Sequence, residues 1–219
     1  MPKEKNHKII IMKVIGIICS ARQHGNTDFL IQKSMDAAIE GGAEETEIIF
    51  LGDKSILPCT GCETCLETGN CKIEDDMQEI YPKLLAADGI IIGAPVYFWG
   101  ISGLAKIFMD RTFCLAISHL AIIPEIKAKM KGGKIDLRNK VGGIVIATSR
   151  VGGATALRQV NDFFRIHRMI EAGSAVAFGF KKGEVEKDKQ GINEAYWTGK
   201  SVVRAIKQQM QYNSTLNHL

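Results

Sequence analysis

The sequence lacks any apolar stretch close to the roughly eighteen residues that a membrane span requires. It also lacks internal repeats and low-complexity tracts, and outside the segment from Lys127 to Lys140 no run of Lys and Arg is longer than a pair. With 24% charged and 46% hydrophobic residues and a net charge of +4, the composition differs from that of a disordered chain. We therefore expect a folded protein with neither a membrane nor a nucleic acid as partner.

The first residues resemble a signal peptide only in outline. A basic start leads into an apolar run, but Lys13 interrupts it, and Ile18 stands where a lipoprotein cleavage site needs a small residue. We interpret residues 9–19 as the first core strand and predict a cytoplasmic protein. In a reducing compartment, clustered thiols are candidates for metal or redox chemistry rather than for structural disulfides.

Apolar runs and amphipathic segments alternate along the chain, which predicts an α/β fold with a doubly wound parallel sheet of five strands and helices on both faces. A helix opened by Asp76 has Glu79 three residues later, which predicts a capping box. The predicted strands are residues 13–20, 45–51, 89–95, 140–149 and 173–180, and the best-marked helices cover 27–40, 102–119 and 192–210.

The length of 219 residues favours a single domain, 1–219. Two segments interrupt the alternation of strands and helices: a cysteine-rich loop at 58–72 and an insertion or arm at about 120–140. The basic residues of the arm suit an acidic redox partner, although a solvated charged surface is the simpler interpretation.

Ligands of doubly wound sheets bind beyond the carboxyl ends of the strands, so the loops after strands one, three and four are candidate sites. The first loop, Ser20 to Asp28, lacks the glycine pattern of a dinucleotide site and the Gly-Lys-Ser/Thr of a nucleoside triphosphate site. It offers hydroxyls, Arg22 and a turn glycine at a helix N-terminus, which suit one phosphate monoester. An ordinary helix cap by Asn26 or Thr27 is the alternative.

The other two loops are less specific. Tyr97, Phe98 and Trp99 follow the third strand, and strand alternation cannot bury all three of them. They suit a groove for a planar ring, whereas a core patch or an oligomer contact is the alternative. The loop at 148–155 has two glycines that allow close backbone approach to a ligand, but a glycine-rich turn into a helix is common.

Four of the six cysteines share one loop: Cys59, Cys62, Cys65 and Cys71. A Cys-x2-Cys-x2-Cys run brings three thiolates to neighbouring corners of a cubane cluster, and the fourth cysteine completes the set. Zinc ribbons usually place a dozen or more residues between two Cys-x2-Cys pairs, but zinc, an air-formed disulfide and free thiols stay as alternatives. We interpret Cys19 and Cys114 as small core residues.

The loops "SARQHGNTD", "APVYFWGISGLAKIFMDRT" and "TSRVGGAT", in this order, resemble those of the NAD(P)H-dependent FMN reductase group of flavodoxin-like proteins. With the cysteine run added, residues 13–180 resemble the iron-sulfur flavoprotein family of anaerobic archaea and bacteria. The resemblance implies an FMN phosphate bound by Ser20, Arg22, Gly25, Asn26 and Thr27, and a flavin ring bound by Pro95, Val96, Tyr97, Phe98, Trp99, Thr148, Ser149, Arg150, Gly152 and Gly153.

The resemblance further implies a 4Fe-4S cluster on the four clustered cysteines and a homo-oligomer, either a dimer or a tetramer. A flavin takes up hydride or single electrons, whereas a cluster passes single electrons. We therefore expect a redox protein that relays electrons between a ferredoxin-like carrier, or NAD(P)H, and an acceptor. The alternatives are an FMN-only NAD(P)H-dependent reductase of quinones or flavins, and a non-catalytic zinc or thiol redox sensor. No nucleophile, general base or triad is predicted.

Overall fold

The computed structural model describes residues 11–117, 124–129 and 136–216. Its centre is a sheet with the order β2-β1-β3-β5-β6, in which every neighbouring pair is parallel. A short strand, β4, pairs antiparallel with the end of β3. The strands are β1 (Lys13–Ile18), β2 (Glu45–Phe50), β3 (Gly89–Tyr97), β4 (Gly100–Ile101), β5 (Val141–Thr148) and β6 (Ile170–Phe178).

Helices connect the strands and cover both faces of the sheet. They are α1 (Asn26–Gly41), α2 (Thr64–Thr68), α3 (Met77–Ala86), α4 (Gly103–Arg111), α5 (Pro124–Lys129), α6 (Gly153–Ile166) and α7 (Lys189–Leu216). Short 3-10 turns at Leu51–Asp53, Thr112–Leu115 and Glu184–Lys187 complete the described elements.

The sheet separates two hydrophobic cores. On one face, α1 and α7 bury Leu30, Ile31 and Val203, and on the other face α4 and α6 bury Phe108 and Phe164. Every residue of β5 is buried, as expected of a central parallel strand that is covered on both sides.

Helices α1 and α7 approach each other so closely that their contact requires a glycine. A Cβ placed on Gly199 would lie 1.9 Å from the backbone oxygen of Ser34, which real Cβ atoms do not approach. The Ser34 hydroxyl, in turn, donates to the carbonyl oxygen of Ala195 at 2.7 Å. These contacts fix α7 against α1 near the middle of both helices.

The predicted fold class is confirmed, since five parallel strands lie in the order of flavodoxin-like sheets. The antiparallel strand β4 was not predicted from the sequence. The predicted helix over 102–119 gives way to a 3-10 turn after Arg111, and residues 118 and 119 lie outside the described residues. The arm at about 120–140 is described only at 124–129, which are α5, and from residue 136 onwards.

The predicted capping box at Asp76 is wrong. The Asp76 carboxylate accepts a hydrogen bond from the Ser55 N–H at 2.7 Å instead of capping α3. The neighbouring Asp75 accepts from the Met77 N–H at 3.0 Å, so the helix start is stabilised from one residue earlier. In the part of the chain that the structure describes, no helix combines the length and the apolar character needed to cross a bilayer.

Candidate functional site

A pocket of about 160 Å³ lies at the carboxyl edge of the sheet. All three loops that the sequence singled out contribute to it, and the topology brings together residues that lie up to 160 positions apart, from Ser20 to Phe180. Its lining comprises Ser20, Arg22, Gly25, Asn26, Thr27, Pro95, Val96, Tyr97, Ala147, Thr148, Ser149, Gly179 and Phe180.

The N-terminus of α1 opens into this pocket. Gly25 occupies the N-cap position in extended conformation, and no described side chain caps the helix. The alternative in which Asn26 or Thr27 caps α1 is therefore wrong. Ser20 accepts the Arg22 N–H at 3.1 Å, which holds the loop folded over the helix end. Uncapped N–H groups and the helix dipole favour an anion here, such as a phosphate.

The Asn26 side chain fixes a fourth loop, which sequence reasoning missed. Its amide group donates to the carbonyl oxygens of Gly179 and Lys181 at 2.9 and 3.0 Å, and its oxygen accepts the Gly183 N–H at 2.9 Å. Glu184 braces the same loop by accepting the backbone N–H groups of Phe180 and Lys181. These two bonds hold the pKa of Glu184 below its usual range.

This fourth loop follows β6, so the rule that located the other three loops also applies to it. The predicted strand at 173–180 included Gly179 and Phe180, whereas β6 ends at Phe178, so the sequence placed these two residues in a strand rather than in a loop. Phe180 lines the pocket and is largely exposed, which makes it a candidate contact for a planar ligand.

The aromatic run ends β3 in an unusual turn. Phe98 and Trp99 have φ angles of 47° and 66°, which places both in the left-handed region that favours glycine. Their rings meet edge to face, with centroids 5.3 Å apart. The exposed fractions of Tyr97, Phe98 and Trp99 are 49%, 94% and 62%, which confirms that the strand cannot bury them.

The structure places part of the predicted ring site outside the pocket lining. Tyr97 lines the pocket, whereas Phe98 and Trp99 form the hairpin tip beside it. The other predicted residues that do not line the pocket are Arg150, Gly152 and Gly153. Gly152 packs against the hairpin, because a Cβ there would lie 2.7 Å from Val96 Cγ1 and 3.0 Å from the Trp99 Cα. The absence of a side chain at Gly152 thus allows the loop at 148–155 to pack directly against the hairpin that follows β3.

The four clustered cysteines line a second cavity, of about 310 Å³. Cys59 and Cys62 are exposed, whereas Cys65 and Cys71 are partly buried against the core. Burial raises the pKa of the Cys65 thiol, and the nearby Cys71, Cys62 and Cys59 raise it further. Hydrogen bonds from the backbone and hydroxyl of Thr64 lower the pKa of Cys62. The four thiols are therefore electrostatically coupled around one space.

Among residues 11–117, 124–129 and 136–216, no group of three or more His, Cys, Asp or Glu side chains is arranged to hold a metal ion. The donor set nevertheless fits a cluster, because four thiols on one loop open onto the same cavity. Cys114 also lines this cavity, which the sequence did not indicate. Burial raises the pKa of its thiol to about 11, which fits the predicted role as a core residue.

A buried ion pair connects the cysteine loop to α4. Arg111 contacts both carboxylate oxygens of Asp75, with Nη2 to Oδ1 at 3.0 Å, and Nη1 donates to the Leu57 carbonyl oxygen at 2.8 Å. Burial alone would lower the pKa of Arg111, but Asp75, Tyr81 and Cys71 raise it. The guanidinium therefore stays charged beside the cysteines.

The family model described as NADPH-dependent FMN reductase matches residues 12–183. An iron-sulfur flavoprotein of Methanocaldococcus jannaschii is 41% identical over 206 residues, which cover 90% of this chain and 98% of that relative. The chain is an FMN-dependent oxidoreductase of the NADPH-dependent FMN reductase family. Within this class it belongs to the iron-sulfur flavoproteins, as the sequence resemblance implied.

Two solved structures show the same fold. A flavone reductase superposes with a TM-score of 0.69 at 22% identity, covering 90% of this chain and 63% of that chain. A flavodoxin from the domain Archaea superposes with a TM-score of 0.55 at 13% identity, covering 90% of this chain and 99% of that chain. The flavodoxin-like fold predicted from the sequence is therefore confirmed.

Proposed function

We propose that this protein relays electrons between a one-electron carrier and an acceptor by means of FMN and a 4Fe-4S cluster. FMN is bound in the pocket at the carboxyl edge, and the cluster is held by Cys59, Cys62, Cys65 and Cys71. The observation that carries the proposal is the convergence of four coupled thiols on one cavity in a chain that also has an uncapped, Arg-flanked helix end. When bound, the cluster supplies one-electron chemistry, and the flavin supplies both one-electron and two-electron chemistry.

The residues of the chain bind and orient these groups. The α1 N-terminus, Arg22, Ser20 and Thr27 bind the phosphate of FMN, and the strand ends around Val96 and Thr148 contact its ring. The exposed Tyr97 and Phe180 limit access of water and of a partner to the ring. The partner is a ferredoxin-like carrier or NAD(P)H, and the protein works as a homo-oligomer, a dimer or a tetramer.

One observation favours an FMN-only reductase that uses NAD(P)H directly. Among the described residues, no group of three or more His, Cys, Asp or Glu side chains is arranged to hold a metal ion, although the four clustered cysteines line one cavity. Under this alternative the thiols are free, and the family's reductase chemistry takes place at the flavin alone. Zinc bound without flavin would instead indicate the redox sensor.

The deciding experiment compares the wild type with two cysteine variants after anaerobic purification. Visible spectra and the contents of iron, sulfide, zinc and FMN are measured for wild type, Cys62→Ser and Cys114→Ser, where Cys114 lines the same cavity without being a proposed ligand. We expect about four irons and one FMN per wild-type chain. Cys62→Ser should lose iron and retain FMN, and Cys114→Ser should retain both.

Two results would overturn the cluster assignment. FMN without iron in wild type, even after anaerobic reconstitution, leaves the FMN-only reductase as the function. Loss of iron in Cys114→Ser together with its retention in Cys62→Ser would show that the ligand set is wrong.

A further inference from the structure

We propose that Arg111 is a positioning residue for the cysteine loop, and that its buried charge raises the reduction potential of the cluster bound there. The second part rests on the proposed function, because it requires a cluster on the four clustered cysteines. Neither the similarity to known proteins nor the cysteine pattern assigns a role to Arg111, which lies 40 residues beyond Cys71.

The first observation is that Arg111 and Asp75 hold both ends of the cysteine loop. Arg111 donates to the carbonyl oxygens of Leu57 and Ile73, at 2.8 and 3.4 Å. The Asp75 carboxylate accepts the Leu57 N–H at 2.9 Å while it binds the guanidinium. The segment between Leu57 and Ile73 contains all four proposed ligands. The ion pair therefore ties the two ends of this segment together.

The second observation is burial. The side chain of Arg111 is 0% exposed and that of Asp75 is 4% exposed. Taking both charges out of water is costly, and a buried pair is strongly destabilised when one partner is removed. Four further hydrogen bonds reduce the cost, since the Asp75 carboxylate accepts hydrogen bonds from two backbone N–H groups and Arg111 donates to the carbonyl oxygens of Leu57 and Ile73.

The third observation is that one donor of Arg111 is left over. Its Nε is buried and has no hydrogen-bond acceptor among the described residues. Arg111 also forms part of the wall of the cysteine cavity. Buried donors without an acceptor are rare in folded proteins, and they indicate an interaction with a group that the protein itself does not supply. An anionic cluster in this cavity supplies that acceptor.

These observations set the direction of the effect. A reduced cluster carries one more negative charge than an oxidised one, so a nearby cation and an N–H donor stabilise the reduced form. Because the guanidinium is buried, solvent ions screen it less than they screen an exposed cation. Lys72 lines the same cavity but is exposed, which makes it the matched comparison.

The test is a potentiometric titration of the cluster, followed by electron paramagnetic resonance, in holoprotein with known iron content. Arg111→Gln should lower the midpoint potential, and Arg111→Lys, which keeps the charge, should restore most of it. Lys72→Gln should shift the potential much less than Arg111→Gln. Asp75→Asn should shift it upwards, because this variant removes a negative charge and leaves the cation.

An electrostatic effect shifts the midpoint potential downwards in Arg111→Gln and upwards in Asp75→Asn. Disruption of the loop would instead shift the potential in the same direction in both variants. Equal potentials in wild type and Arg111→Gln, or the same direction of shift in both variants, would overturn the proposed effect on the potential.

Loop closure is tested separately by limited proteolysis of iron-free protein. Faster cleavage between residues 57 and 73 is expected in Arg111→Gln and Arg111→Lys than in Lys72→Gln, since lysine cannot bind carboxylate and carbonyl groups together. Unchanged cleavage would overturn the positioning role. If wild type holds no iron in any preparation, the proposed function fails and the effect on the potential fails with it, while proteolysis still decides the positioning role.

Discussion

At the scale of single residues, the proposed phosphate site combines one cation with one helix end. Arg22 lines the pocket beside the uncapped N-terminus of α1, whereas Arg150, which the sequence also assigned to the flavin, does not line it. The two arginines therefore provide an internal comparison, because both lie on loops at the same edge of the sheet.

We expect Arg22→Ala to weaken FMN binding by a factor of about 10 to 100, since a hydrogen bond to a charged group contributes about 1.5–3 kcal/mol. Arg150→Ala should change the affinity by less than about threefold. Quenching of FMN fluorescence on titration with apoprotein measures both. Equal losses in the two variants would show that the phosphate is bound elsewhere.

A second prediction at this scale concerns pH. Two backbone N–H groups donate to the Glu184 carboxylate and lower its pKa. The stabilisation that the ionised carboxylate gives to this loop is therefore complete above its ordinary pKa of about 4.3 and is lost as the pH falls through the lowered value. Protonation releases the loop at Phe180, and FMN affinity should fall in acid.

Glu184→Gln keeps an acceptor oxygen and should remove this part of the pH dependence. The ratio of the FMN dissociation constants of wild type and Glu184→Gln, measured from pH 7 down to about pH 3, cancels the titration of FMN itself. A constant ratio would contradict the prediction.

At the scale of elements, the turn between β3 and β4 lowers the free energy of unfolding, because its backbone is strained. Two-residue hairpin turns with positive φ at both positions favour Asn-Gly, but Phe98 and Trp99 occupy them here. Each such residue costs on the order of 1 kcal/mol, and the side chains recover little of it because they are mostly exposed. Strain of this kind is typical of positions retained for function.

Replacing Phe98 and Trp99 by Asn-Gly should raise the free energy of unfolding by about 1–2 kcal/mol. Urea denaturation of the apoprotein measures the change, and Phe113→Asn, a partly exposed aromatic residue outside the hairpin, serves as the control. A loss of stability in the hairpin variant would mean that the two rings contribute packing that outweighs the strain of the turn.

The crossing of α1 and α7 is the second element with a sharp expectation. Gly199→Ala should destabilise the protein by roughly 3 kcal/mol or more, because the new methyl group overlaps the Ser34 backbone and one helix must move. Gly103→Ala is the matched control, since a Cβ there meets nothing within 4 Å and alanine favours the helix. Comparable midpoints of thermal unfolding in the two variants would contradict the close approach of α7 to α1 at Gly199.

At the scale of the whole molecule, periodicity predicted the sheet and the rule for strand ends predicted the pocket. Buried apolar runs identify central strands, and loops at their carboxyl ends must meet at one edge. Ten of the fifteen residues predicted for the flavin line the pocket; the other five are Phe98, Trp99, Arg150, Gly152 and Gly153. The sequence could not show which loop residues turn inward, because loop side chains follow no period.

Long-range polar contacts escaped prediction for a related reason. The predicted helix over 102–119 placed Arg111 near its middle, and its pairing with Asp75 across 36 positions depends on how α4 packs on the cysteine loop. Likewise, the sequence resemblance assigned Asn26 to the phosphate. Its hydrogen bonds to the loop after β6 depend on the ends of β1 and β6, which are far apart in sequence, meeting at one edge of the sheet. Neither pairing has a signature in local sequence.

The two cavities lie near opposite ends of α4. Its N-terminal end follows the hairpin beside the pocket at the carboxyl edge, and Asp110 and Arg111 at its C-terminal end line the cysteine cavity. Of the described residues, none lines both cavities. A helix of nine residues is about 13.5 Å long, which sets the scale of the separation between the two proposed cofactor sites within one chain.

If subunits of the proposed homo-oligomer bring the cysteine loop of one chain to the flavin of another, two defective proteins should complement each other. A mixed assembly of Cys62→Ser, which lacks the cluster, with Arg22→Ala, which lacks FMN at low flavin concentration, should regain part of the turnover that either lacks alone. Tagged co-expression and purification of the mixed species would measure this recovery. A mixed assembly that stays inactive would show that electrons pass between the cluster and the flavin of the same chain.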